Sequence, residues 1–363
     1  MAAKRLLTLD ELEAASLRQS EIPPLSAIKQ EAVRINPSFD TSLIDKVKAE
    51  AETSKEQPLQ VGFFRVRTAN QCISDAKTQP IPRNLYQSLL FEGEITILFA
   101  NQGVGKSVFA VQIANEISKT DKVLYLDLEL SDKQFQNRYS ENYENEFQFN
   151  ENLIRIDFAR PVKIPDGTDY DTYFIDNLKQ LINVTGARIV VIDNMTKLVS
   201  SDTDKANVAK PLMDTLIDLK FEYNLTLLLL EHTRKVDVTR PISANDLQGS
   251  KMKINFADAV FTIGQSSKDT SLKYIKQLKC RSAEKTFDVD NVPVYEIIKE
   301  KSLLYFRFLN YDTEFNHLKQ QSENDKSVLI DKIKELSGTG KSQREISKEL
   351  GISLGAVNKY LKK

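Results

Sequence analysis

From residue 91 onward, apolar residues follow two alternating patterns. Nearly continuous apolar runs predict buried strands at "ITILFA" (95–100), "KVLYLDLE" (122–129), "LIRIDF" (153–158), "RIVVID" (188–193) and "LTLLLLEHT" (225–233). Between them, apolar positions recur every three to four residues. That spacing predicts helices over "KSVFAVQIANEISK", "DKQFQNRYSENY", residues 169–184 and residues 208–223. Strands alternating with helices predict an α/β fold, a mostly parallel sheet covered on both faces. Farther along, "AVFTIGQ", "SLKYIKQLK", "PVYEII" and "SLLYFRFL" predict short strands that extend the sheet in antiparallel fashion.

The ends of the chain differ from this core. Residues 1–60 carry 8 basic and 10 acidic residues and four prolines among short helical patterns, which predicts a weakly structured arm or a small helical adaptor. The expected division is an arm over 1–77, the α/β domain over 78–315, a polar linker over 316–326 and a small all-α domain over 327–363. Net charge is −1, so attraction to a polyanion has to come from local patches. Two distant cysteines and two histidines make a zinc site or disulfide framework improbable. With no apolar secretory core and no long apolar run, the expectation is a cytoplasmic protein without membrane contact.

"ANQGVGKS" joins the first core strand to its helix. It fits the phosphate-binding pattern G-x-x-x-x-G-K-[ST], with alanine at the first position. Ala100, Asn101, Gln102, Gly103, Val104, Gly105, Lys106, Ser107 and Val108 are therefore the expected ATP-binding residues. Lys106 reaches the β- and γ-phosphates, Ser107 ligates Mg²⁺, and the helix that follows offers its positive end to the anion. Asp193, ending a buried strand, is the second Mg²⁺ residue, because a lone carboxylate there needs a counter-charge. Asn194 occupies the position where many P-loop ATPases carry a catalytic glutamate. The base that orients water must then come from another strand: Glu129 first, with Asp127 as the alternative.

"LELSDKQFQNR" (128–138) resembles the Glu-x-Ser-x-x-Gln-x-x-x-Arg motif of hexameric RecA-fold helicases, through Glu129, Ser131, Gln134 and Arg138. The resemblance is to DnaB-type replicative helicases and plasmid RepA-type helicases, and it implies a RecA-like core in which the glutamate is the catalytic base. "LLLLEHTRK" (227–235) is similar to the RepA-type strand ending in histidine, which implies that His232 senses the γ-phosphate. "QLKCRSAEK" (277–285) resembles a late Lys-x-Arg motif, implying that Lys279 and Arg281 reach into the neighbouring subunit's site. The arm does not resemble the helical domain of DnaB-type chains, and the acidic stretch 141–151 looks like an insertion.

In a ring of such subunits the loops 194–210 and 233–253 line a channel. The second carries Arg234, Lys235, Arg240, Lys251 and Lys253 against Asp237 and Asp246, a local excess of three positive charges for single-stranded DNA. "SGTGKSQ" (337–343) mimics a second phosphate loop, but a helical pattern precedes it. The better reading is a helix ending at Leu350, a turn at Gly351 and a helix after Ser353, similar to the helix-turn-helix modules of resolvases and sigma factors. Residues 339–363 hold six basic and two acidic residues, and Ser353, Asn358 and Lys359 are the expected duplex contacts.

The combined expectation is a Mg²⁺-dependent, DNA-binding ATPase forming a homo-oligomeric, hexameric ring. It would be a helicase or helicase-like replication protein of a plasmid or other mobile element. Two alternatives stay open: a DNA-binding regulatory or partition ATPase that uses ATP as an assembly switch, and a signalling ATPase of the same fold.

Overall fold

The computed structural model describes residues 59–201, 206–233, 237–247, 251–319 and 323–361. Most of the expected arm, residues 1–58, lies outside the described residues. The chain divides into two units between Pro80 and Ile81. The first contains a hairpin of β1 (Leu59–Val61) and β2 (Phe64–Val66), then α1 (Ala69–Ala76). Thr68 and Gln71 form a reciprocal capping box that starts α1.

The second unit is built on a nine-stranded sheet. Its chain order runs through the hairpin β3 (Asn84–Tyr86) and β4 (Leu90–Phe91), then β5 (Ile95–Ala100), α2 (Lys106–Ser118), β6 (Val123–Asp127) and α3 (Asp132–Arg138). The hairpin β7 (Ser140–Glu141) and β8 (Asn145–Glu146) follows, then β9 (Leu153–Ile156), α4 (Tyr170–Thr185), β10 (Ile189–Asp193), α5 (Ala206–Tyr223) and β11 (Thr226–His232). After α6 (Lys251–Phe256) come β12 (Ala259–Gln265), β13 (Leu272–Lys279), β14 (Val292–Glu300) and β15 (Leu303–Asp312). Three helices, α7 (Glu323–Gly338), α8 (Gln343–Leu350) and α9 (Leu354–Leu361), end the described chain.

The strand order is β15-β14-β13-β12-β5-β11-β10-β6-β9. β9, β6, β10, β11, β5 and β12 are mutually parallel, and β13 to β15 are antiparallel. This is the RecA-like architecture expected from the sequence. β12 differs from expectation: it pairs in parallel with β5, so the antiparallel extension starts one strand later. The two faces of each strand feed separate cores, as alternation requires. On β11, Leu228 and Leu230 pack on the α2 side with Phe109, whereas Leu227 and Leu229 pack on the other with Leu178 and Leu216.

Two further expectations need correcting. The helix expected through residue 143 stops at Arg138, and β7 and β8 occupy the acidic stretch. Phe147 and Phe149, which follow that hairpin, close an aromatic cluster with Phe135 and Tyr139, so the stretch adds a packed corner. β14 and β15 are also long rather than short, and β15 lies against α2. Phe306 packs on Phe109 at 5.0 Å, and Gln112 holds the Phe306 backbone in both directions, its amide donating to the carbonyl at 3.2 Å and its oxygen accepting from the N–H at 2.8 Å.

The last three helices share a small core of Ile333, Ile346 and Val357. Gly351 adopts φ 65° to end α8, and Ser353 caps α9 by accepting from the Ala356 N–H at 3.1 Å. α7 begins inside the expected linker. No described helix is long and apolar enough to cross a membrane.

Candidate nucleotide site

The loop between β5 and α2 turns on Gly103 at φ 81° and Gly105 at φ 96°. Gly105 is required twice over: its dihedral disfavours a side chain, and a Cβ there would stand 2.7 Å from Ile297 Cδ1. No side chain caps α2. Its first amide N–H groups therefore remain for an anion. Asn101 is held from the residue just after β11, where the Thr233 hydroxyl donates to its side-chain oxygen.

Lys106 is buried, and its ammonium donates to the Ala100 carbonyl at 3.3 Å and to His232 Nδ1 at 3.1 Å. Burial pushes its pKa below the ordinary lysine value, opposed by Asp193, Glu129 and Glu231. His232 Nε2 lies 3.1 Å from the Asn194 amide nitrogen, which also donates to Glu129 Oε1. Asn194 Oδ1 is fixed by the Thr196 N–H and hydroxyl. A neutral imidazole accepts at one nitrogen only, so Lys106 and Asn194 compete for this ring. A phosphate that draws Lys106 away leaves His232 to Asn194.

Glu129 sits at this crossing, exposed, with its carboxylate 3.9 Å from His232. The His232 imidazole beside it holds its pKa below the usual carboxylate value, helped by the charges of Lys106 and Lys197. Ionised and facing the lysine of the phosphate loop, it can orient a water. Asp127 cannot substitute, because Arg155 donates to its Oδ2 at 2.9 Å and the Leu130 N–H to its Oδ1 at 3.0 Å. Ser131 and Gln134 have a local task, the capping box of α3.

Asp193 is 2% exposed and accepts from Tyr125 Oη at 2.9 Å, with the Ser107 hydroxyl as a further partner. Burial raises its pKa, and no ion pair among the described residues includes it. A buried carboxylate lacking a cation, beside the hydroxyl of the phosphate loop, fits a divalent metal such as Mg²⁺. It also yields a stability test. A carboxyl whose folded pKa is raised costs stability once it ionises, so the cost is absent in acid and grows as pH rises through that pKa. Asp193→Asn is therefore expected to melt about 2–4 °C above wild type in metal-free neutral buffer, for each kcal/mol relieved. The gap should close in acid and shrink when Mg²⁺-nucleotide is added. Equal melting at all pH values would contradict the assignment.

Other expected contacts are placed differently. Lys253 is fully buried, its Nζ 2.6 Å from Glu231 Oε2, so the expectation of a phosphate-binding lysine there is corrected. Arg240 is half-exposed and forks onto Asp246 at 2.9 and 2.5 Å. Arg234 and Lys235 lie outside the described residues, as does the side chain of Lys251. Ser353, the cap of α9, and Asn358 and Lys359 on that helix are exposed.

Lys279 and Arg281 are far from this chain's own phosphate loop. Lys279 pairs with Val260 near the start of β12, and Arg281 donates to Asp258, whose other oxygen accepts from the Ile95 N–H. Ile95 begins β5 and Ala100 ends it, so these cations stand roughly 17 Å from the loop at about 3.3 Å per residue. Lys279 donates to the carbonyls of Ile254, Asn255 and Ala257 at 2.7, 3.1 and 2.7 Å.

Sequence reasoning passed over Tyr125, Arg155 and the bridging role of Asn194. A tyrosine inside an otherwise aliphatic buried strand was the available signal for the first, since a buried phenol needs a polar partner.

Residues 64–238 match a family described as AAA domain. Among solved structures, the chain is similar to a KaiC-like protein from the hyperthermophilic archaeon Pyrococcus horikoshii OT3. That match has 13% identity, covers 60% of this chain and 90% of the other, and has a TM-score of 0.43. No curated protein matches the chain in sequence. A glycine-bent loop with uncapped helical amides, its lysine, a buried metal-type aspartate and the AAA-domain match together mark residues 64–238 as a P-loop ATPase domain.

Proposed function

We propose that the chain is a ring-forming, DNA-dependent ATPase, a helicase or helicase-like replication protein that hydrolyses ATP between subunits. The observation that carries this reading is the separation of Lys279 and Arg281 from the chain's own phosphate loop, at the opposite end of the parallel strands. Cations with that motif spacing serve hydrolysis only if a second copy brings its loop to them. Ala100 to Val108 would hold the phosphates of ATP, and Ser107 and Asp193 would hold Mg²⁺, which would supply charge neutralisation. Lys106 leaves His232 for the phosphates, Asn194 takes over the imidazole, and Glu129 orients the attacking water. His232 passes the state of the γ-phosphate to residues 233–253, and a plasmid or mobile-element setting follows from the RepA-type resemblance.

Strand displacement by purified protein tests the proposal. Wild type is expected to unwind a forked duplex with ATP hydrolysis stimulated by single strands, and Lys106→Ala to lose both. Hydrolysis that ignores single-stranded DNA would refute the motor.

A second reading, a DNA-binding regulatory or partition ATPase that uses ATP as an assembly switch, is favoured by one observation. Lys253 and Arg240 are engaged by Glu231 and Asp246, which thins the basic lining of the proposed channel. DNA contact would then fall to α9 through Ser353, Asn358 and Lys359, as a helix-turn-helix reads a duplex.

A further inference from the structure

Glu231 is buried next to His232 and belongs to none of the roles above. One of its oxygens accepts from the His232 backbone N–H at 3.0 Å, and the other holds Lys253 Nζ at 2.6 Å. Lys253 stands in α6, and the carbonyls at the far end of that helix are those gripped by Lys279 and Arg281. Lys279 takes residues 254, 255 and 257, and Arg281 takes Asn255 at 2.9 Å. Glu231 pairs with Phe99 near the carboxyl end of β5, whereas Asp258, after α6, bonds Ile95 at its amino end. A six-residue helix is about 9 Å long, enough to span most of that interval. The path from His232 to the two cations therefore consists of one carboxylate, one buried lysine and one short helix, with a hydrogen bond at each joint.

We propose that Glu231, Lys253 and α6 form a strut that carries nucleotide occupancy at His232 to Lys279 and Arg281, making Glu231 and Lys253 positioning residues that couple consecutive sites. This rests on the reading that Lys279 and Arg281 serve an adjacent subunit. A buried ion pair often adds little net stability, and replacing both partners with apolar residues of similar volume is often tolerated, whereas removing one is not. The pair is thus suited to a mechanical role that can be removed without unfolding the domain.

Cys280 lies between the two cations, is partly exposed, and becomes the sole thiol once Cys72 is changed to Ser. Its alkylation by iodoacetamide reports the environment of Lys279 and Arg281. In that background, AMP-PNP with Mg²⁺ is expected to change the Cys280 rate by about fivefold or more, the lower range of a coupling between sites. Glu231→Met/Lys253→Met should bind AMP-PNP normally, melt cooperatively and lose the change. If that double variant does not fold, Lys279→Met severs the strut at its exposed end and should lose the response equally.

An unchanged response in the folded double variant overturns the strut, because a neighbour's nucleotide acting directly on Cys280 would give that result. So does a wild-type rate that ignores bound nucleotide. Loss of AMP-PNP binding itself, or binding unaffected by Lys106→Ala, would instead overturn the nucleotide reading on which the strut rests.

Discussion

Arg281→Ala is expected to lower ATP turnover by roughly 10³–10⁵-fold, the contribution of a cation delivered to a transferring phosphoryl group. Its local contacts do not account for such a loss. Arg281 is half-exposed, and its ion pair with Asp258 at 3.1 Å is of the surface kind, worth at most about 1 kcal/mol. Melting should therefore move little while turnover collapses. Mixing provides the sharper measurement. Arg281→Ala subunits keep Glu129, and Glu129→Gln subunits keep Arg281, so each is dead alone. In a ring joined head to tail, an equal mixture regenerates about a quarter of the interfaces intact. Recovery toward that fraction supports a shared site, and none would mean that the site is self-contained.

Glu129→Gln should lower hydrolysis by about 10²–10⁴-fold, the usual worth of a positioned base, with ATP affinity largely retained. Glutamine keeps the size of the side chain and can still accept from the Asn194 amide, so the network that links it to His232 survives. The loss would thus report charge rather than collapse of the site. Because His232 and Lys106 hold the Glu129 pKa below its ordinary value, the acid limb of the wild-type pH profile should lie below that of an unperturbed glutamate. Measuring turnover across acidic pH with saturating Mg²⁺-ATP checks both points. An ATPase profile identical in Glu129→Gln would remove Glu129 from the chemistry.

Much of this is legible in the sequence alone. Uninterrupted apolar runs betray parallel strands, because both faces of such strands are covered, and the phosphate loop could be recognised from its glycines and lysine. Asn194 pointed to Glu129 by elimination, and the two meet in the structure. The basic loop misled because charge counts do not reveal pairing. Lys253 and Glu231 are 22 residues apart, and only folding of α6 against β11 shows that one neutralises the other. Orientation of β12 was equally hidden, since a short, largely buried strand of seven residues is compatible with either direction. Tyr125 and Arg155 escaped notice because each acts on an aspartate through a tertiary contact, for which local sequence holds no spacing rule.

The clasp between Gln112 and Phe306 has an implication for biosynthesis. A hairpin that emerges from the ribosome 194 residues after the helix it clasps also supplies the side chains nearest Gly105. The nascent chain accordingly displays its fuel-binding loop long before the roof over it exists. A product truncated ahead of β14 would keep the phosphate-loop residues and lack the Ile297 and Phe306 side chains that pack against Gly105.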